Sequence, residues 1–127
     1  MGRPEDLRRY KRLDTLGVRL NATLAIVDGN EVWGCLVPVK DFSKSGAGVY
    51  LKEEVDKGCL VRLSLEGLDY APIEGKVVWI SSSTGDPHAP ASYPFRAGID
   101  FAPKDDHSRE NQLAVYGHVS KLVGEQE

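Results

Sequence analysis

From Val18 to Ile26 every second residue faces the same way in chemistry. Val18, Leu20, Ala22, Leu24 and Ile26 fall on one side, and Arg19, Asn21, Thr23 and Ala25 on the other. A period of two marks a strand with one buried face, and a lone strand or hairpin is not stable in water. The chain must therefore build a sheet. Asp28-Gly29-Asn30 supplies a tight reversal, because Gly and Asn tolerate positive φ, and predicts an antiparallel partner over residues 31–39. Further short strands are predicted over residues 48–52, 60–66, 73–80 and 95–101. In the third of these Lys76, Val78 and Ile80 alternate with Val77 and Trp79, which makes its outward face partly apolar. Residues 81–94, with four serines and three prolines, read as a loop. Six short strands joined by turns predict a closed or nearly closed antiparallel barrel, since closure removes exposed edges.

After Pro103 the period changes. Asp105 or Asp106 can cap a helix, Glu110 suits its positive end, and Leu113, Tyr116, Val119 and Val123 follow at helical spacing as an apolar stripe. The expected fold class is all-β with a C-terminal helix. At 127 residues and 41% apolar content the chain suits one domain with a real core. No apolar run approaches the roughly 20 residues of a membrane span, and the first dozen residues carry no secretory apolar run, so a cytoplasmic location without membrane insertion is expected. Cys35 and Cys59 fit neither a disulfide scaffold nor a metal pattern and are expected as small apolar core residues. His88, His107 and His118 are scattered, so no metal or other cofactor is expected.

Charge is unevenly spread. The net charge is -3, yet residues 1–12 carry +3 and the remaining 115 carry -6. An acidic body with a short basic arm lacks the broad positive footprint of a DNA- or RNA-binding protein, and suits a small anion held in one place. Two clusters carry the chemistry. Arg8-Arg9-Tyr10-Lys11-Arg12 precedes the first long strand, and Asp41-Phe42-Ser43-Lys44-Ser45-Gly46 lies at a strand-to-strand connection.

Read together, Arg8 and Arg12 form RxxxR, and Asp41, Ser43 and Gly46 form DxSxxG, in that order. This pair resembles the signature of PilZ domains, bacterial receptors for cyclic di-GMP. Gly75-Lys76-Val77-Val78-Trp79 and Phe95-Arg96-Ala97-Gly98-Ile99-Asp100-Phe101 are similar to the family's later strands. The resemblance implies a six-stranded PilZ-like β-barrel over residues 15–103, preceded by a mobile basic arm (residues 1–14) and followed by a helix and tail (residues 104–127). It also implies that Arg8 and Arg12 grasp the dinucleotide, with Arg9 a third candidate. The chemistry agrees. A guanidinium meets guanine O6 and N7 with parallel bonds, stacks on bases and pairs with phosphate. Asp41, acceptor-only, matches the guanine N1–H and N2–H donors. Ser43 suits a base edge or phosphate, Gly46 permits a tight bend or close ligand approach, and Trp79 offers an apolar wall to a base.

The expected function is a cyclic di-GMP receptor whose arm folds over the ligand and signals to a downstream protein, such as motility or polysaccharide export machinery. Leu7, next to RxxxR, adds no further guanidinium and favours one ligand per chain. An alternative is an adaptor of the same fold that acts by protein contact without the nucleotide. A single-stranded nucleic-acid barrel would need a basic groove interleaved with aromatics, and only 8% of residues are aromatic. Catalysis is not expected, because Ser43 beside Asp41 has no histidine at a recognisable spacing.

Overall fold

The computed structural model describes residues 12–28 and 31–125. Among the described residues, seven strands precede one helix: β1 (Leu13–Asp14), β2 (Asn21–Asp28), β3 (Glu31–Phe42), β4 (Gly46–Leu51), β5 (Leu60–Leu65), β6 (Ile73–Ser82), β7 (Phe95–Phe101) and α1 (Asp106–Glu125). Every pairing is antiparallel, in the order β1-β3-β2-β5-β6-β7-β4, and β4 pairs back onto β3. Strands β2 to β7 thus close into the expected six-stranded barrel, and β1 is a short addition on β3. Leu24, Val37, Val49, Val61, Leu63, Val77 and Ile99 point inward from all six walls, and Phe42 and Phe101 meet at 5.4 Å between ring centroids.

The alternation in β2 is real, with Leu20, Ala22 and Leu24 buried and Thr23 exposed, but the strand starts at Asn21 and not at Val18. Residues 16–19 form a turn instead. The Asp14 carboxylate accepts the Leu16 N–H at 3.0 Å, Arg19 closes back on the Leu16 carbonyl, and Arg19 takes a φ of 51°. A strand cannot pass through that conformation. Asp28 stands opposite Glu31, as the predicted reversal requires, while residues 29 and 30 lie outside the described residues. The cysteine expectation fails for Cys35. Where β3 runs toward its hairpin end Cys35 is exposed, and with half-buried Cys59 it lines a cleft of about 730 Å³; both thiols are free and burial pushes both up in pKa.

Helix α1 is capped by Asp105, whose carboxylate accepts the Ser108 N–H at 2.8 Å and is held below the usual carboxylate range by that bond. The helix packs against β1 and β6 through a line the apolar pattern missed. Gln112, Val115 and Val119 are buried, Tyr116 and Val123 are partly buried, and Leu113 is 44% exposed. The predicted stripe is rotated because a glutamine occupies one of the inward positions. No helix among the described residues is long and apolar enough to cross a membrane.

Candidate functional site

Strand β3 continues past Val39, where a shift in register lets Asp41 face two neighbours. Asp41 pairs with Asp14 of β1 on one edge and with Gly48 of β4 on the other. It therefore sits within the sheet, not in the connection where the sequence pattern put it. Its carboxylate rests against Gly48, close enough that a Cβ there would stand 3.0 Å from Oδ1. Arg12, just ahead of β1, donates from Nη1 to the same oxygen at 2.8 Å, and Lys40 Nζ stands 3.6 Å from Oδ2. One member of each sequence motif is thus brought into contact across 29 residues of chain. Arg8 and Arg9 lie outside the described residues.

The row that starts at Asp41 continues across the barrel wall. Gly48 pairs with Gly98 of β7, and Gly98 pairs with Trp79 of β6. At about 4.8 Å per strand the row spans roughly 14 Å. Its two middle positions have no side chains, so the backbone there is a floor on which the neighbouring carboxylate and indole lie, and both glycines are buried beneath them. The indole lies on that floor, and a Cβ at Gly98 would overlap Trp79 Nε1. The simple alternation predicted for β6 would give Val77 and Trp79 the same face. A bulge between them separates the two, so that Val77 is fully buried while Trp79 is 42% exposed. Gly48 and Gly98 were not singled out in the sequence. A glycine in mid-strand was the available signal, because it commonly marks a close approach to the backbone.

Ser43 and Gly46 build the turn between β3 and β4. Ser43 is buried, and its Oγ donates to the Gly46 carbonyl at 3.2 Å while accepting from the N–H groups of Ser45 and Gly46 at 3.3 and 3.1 Å. That hydroxyl is engaged inside the turn. At Gly46 the space for a Cβ is filled by the backbone carbonyl of Ile99. The close approach this glycine permits is that of β7.

Beside the row lies a second polar group. Tyr50 of β4 is fully buried, and its hydroxyl donates to Asp86 Oδ2 at 2.9 Å, while Asp86 Oδ1 accepts the His88 N–H at 2.9 Å. Arg96 of β7 approaches Asp86 at 3.5 Å and donates to Ser81 Oγ. The Asp86 side chain is only 6% exposed, and its backbone and tyrosine donors keep its pKa below the usual range despite burial. Burial and the bond to Asp86 push the Tyr50 phenol up. Residues 81 and 82, expected in the loop, extend β6 and pair with Arg96 and Phe95, so the loop covers residues 83–94, and Asp86 fastens it to the barrel wall next to the candidate face.

Comparison with known proteins bears on the fold and the family. The family model for the PilZ domain matches residues 6–116. Among solved structures, the PilZ domain with c-di-GMP of YcgR from Escherichia coli superposes with a TM-score of 0.66 at 14% identity, covering 94% of this chain and 95% of that one. The K. pneumonia MrkH–c-di-GMP complex gives a TM-score of 0.65 at 14% identity, covering 100% of this chain and 57% of that one. The Bacillus subtilis inhibitor of motility MotI/DgrA gives 0.54 at 16% identity, covering 95% and 54%. This chain thus spans little more than half of the latter two. No curated protein sequence matches it. At these identities the superpositions speak for the fold, and the sequence model, matched over most of the chain, speaks for the family: this chain belongs to the PilZ domain family.

Proposed function

We propose that this chain is a receptor for cyclic di-GMP, bound across the outer face between Asp41 and Trp79. The observation that carries the reading is the ion pair between Arg12 and Asp41 at the head of a glycine-floored strip. Membership of the PilZ family supports it, as do similar structures whose own names include c-di-GMP.

Each part of the strip has a task. A carboxylate offers about four lone-pair sites, so Asp41 can keep Arg12 in place and still accept guanine N1–H and N2–H. Arg12, fixed at one end by Asp41, turns its remaining donors to a phosphate or to guanine O6 and N7. Gly48 and Gly98 let the Asp41 carboxylate and the Trp79 indole lie close on the wall, and the half-exposed Trp79 supplies a stacking surface worth about 1–3 kcal/mol per base. Arg8 and Arg9 complete the positive charge that the dianion requires. Ser43 and Gly46 act by shaping the turn beside Asp41.

In this reading the basic arm, residues 1–14, closes over the nucleotide. Its last two residues already pair in β1, so closure concerns the residues ahead of Leu13. Ordering them costs roughly 1–2 kcal/mol each in backbone entropy, and several charge-assisted bonds to the phosphates offset it. The ordered arm is the surface a downstream protein reads, with one ligand per chain. The role is that of a receptor, with no bond made or broken in the ligand.

Calorimetric titration tests this. Cyclic di-GMP is expected to bind at micromolar strength or better with a stoichiometry near one. Cyclic di-AMP should bind at least about tenfold more weakly, because adenine lacks the N1–H and N2–H donors that Asp41 accepts. Absence of binding, or equal affinity for the two, contradicts the reading.

A further inference from the structure

The turn between β3 and β4 is held from outside by α1. Gln112, on the inward line of the helix and 6% exposed, donates from Nε2 to the carbonyl of Lys44, the residue that follows Ser43. The Lys44 ammonium lies 5.7 Å from the centre of the Tyr116 ring, one helical turn on, and the Ser45 carbonyl accepts the Phe101 N–H at 2.8 Å. The middle of the turn is therefore anchored to the helix and to β7, while its ends carry Ser43 and Gly46.

Gln112 does this at a cost. Its Oε1 is buried and has no hydrogen-bond partner among the described residues. An unsatisfied buried acceptor loses its full hydration, which exceeds what one amide hydrogen bond returns. Turning the amide over would bring Oε1 against the Lys44 carbonyl, two acceptors facing each other, so the orientation is set. An unbranched apolar side chain of the same length would fill this position without the orphaned Oε1, and would give up only the bond to the Lys44 carbonyl. As a contribution to stability alone, glutamine is a poor choice here.

We infer that Gln112 is a positioning residue for the nucleotide site: it holds the Ser43–Gly46 turn, and through it Asp41 at the end of β3, in the geometry that receives the ligand. The inference rests on the receptor reading above. Coupling of this kind is reciprocal, so a ligand that tightens the turn tightens the seating of α1 by the same factor. The helix thereby senses occupancy of a face it does not touch.

Gln112→Met separates this role from simple packing, because it keeps length and removes both amide atoms. The variant is expected to melt at or above the wild-type temperature, to exchange the Ser45 and Gly46 amides about tenfold faster, and to bind cyclic di-GMP about tenfold more weakly. Ala114→Gln, at an exposed position of the same helix, should leave all three unchanged. Wild-type affinity or unchanged turn exchange in Gln112→Met would overturn the positioning role and leave the receptor reading standing. A fall in melting temperature alongside affinity would assign Gln112 to packing and equally overturn it. A wild-type chain that fails to bind would sink the receptor reading and this inference with it.

Discussion

Arg12→Ala and Asp41→Ala should each weaken cyclic di-GMP binding by about 30-fold, corresponding to the roughly 2 kcal/mol of one charge-assisted hydrogen bond, while the fold survives. Their side chains are 37% and 20% exposed, and a pair this open contributes at most about 1 kcal/mol to stability. Melting temperature is therefore expected to move by only a few degrees at most. The two losses should not add. Arg12 is held in place by Asp41, so the double variant should lose less than the product of the single losses, a coupling that a double-mutant cycle measures directly. Strictly additive losses would mean that the two side chains meet the ligand independently, and that their contact plays no part in preparing the site.

Gly46→Ala should act in the opposite way, through stability first. A Cβ at this position would overlap the Ile99 carbonyl, a backbone atom inside the β4–β7 ladder that cannot swing aside as a side chain can. Separating the two strands disrupts the pairing that closes the barrel. Overpacking against backbone costs about 3 kcal/mol, which for a domain of this size lowers the melting temperature by about 10 °C. Thermal denaturation followed by far-UV circular dichroism reads this without any ligand. A melting temperature unchanged from wild type would show that β4 can shift freely, and would return Gly46 to a role in ligand contact alone.

These two variants divide the DxSxxG motif into parts that the sequence pattern treats alike. Asp41 has its carboxylate on the outer face, whereas Ser43 and Gly46 are spent on the turn and on the approach of β7. Residue type and spacing identify the motif, but which atoms remain open follows from pairing register, and register is a long-range property. The same limit explains Trp79. Its position over Gly98 depends on a bulge in β6 that no local pattern announces.

The barrel itself was legible because period-two alternation in β2 records a buried face directly, through Leu20, Ala22 and Leu24. Its start was misplaced because Val18 keeps that alternation while Arg19 adopts a left-handed conformation inside a turn. In α1 the apolar stripe pointed to Leu113, which is exposed, since the buried line includes Gln112. A polar residue placed inward for its hydrogen bond hides the face it occupies. Cys35 was expected inside by residue type, yet β3 extends toward a hairpin end where an inward position meets a cleft and not the core.

The central claim is that a guanine dinucleotide lies along the outer strip from Asp41 to Trp79, and nuclear magnetic resonance on the labelled chain tests it most directly. On titration with cyclic di-GMP, the amides of Gly48 and Gly98 and the indole N–H of Trp79 should show the largest shifts outside the basic arm, with signals in the 730 Å³ cleft beside Cys35 and Cys59 unmoved. Shifts centred on that cleft, or on the outer side of α1 around Leu113 with the glycine floor silent, would contradict the account.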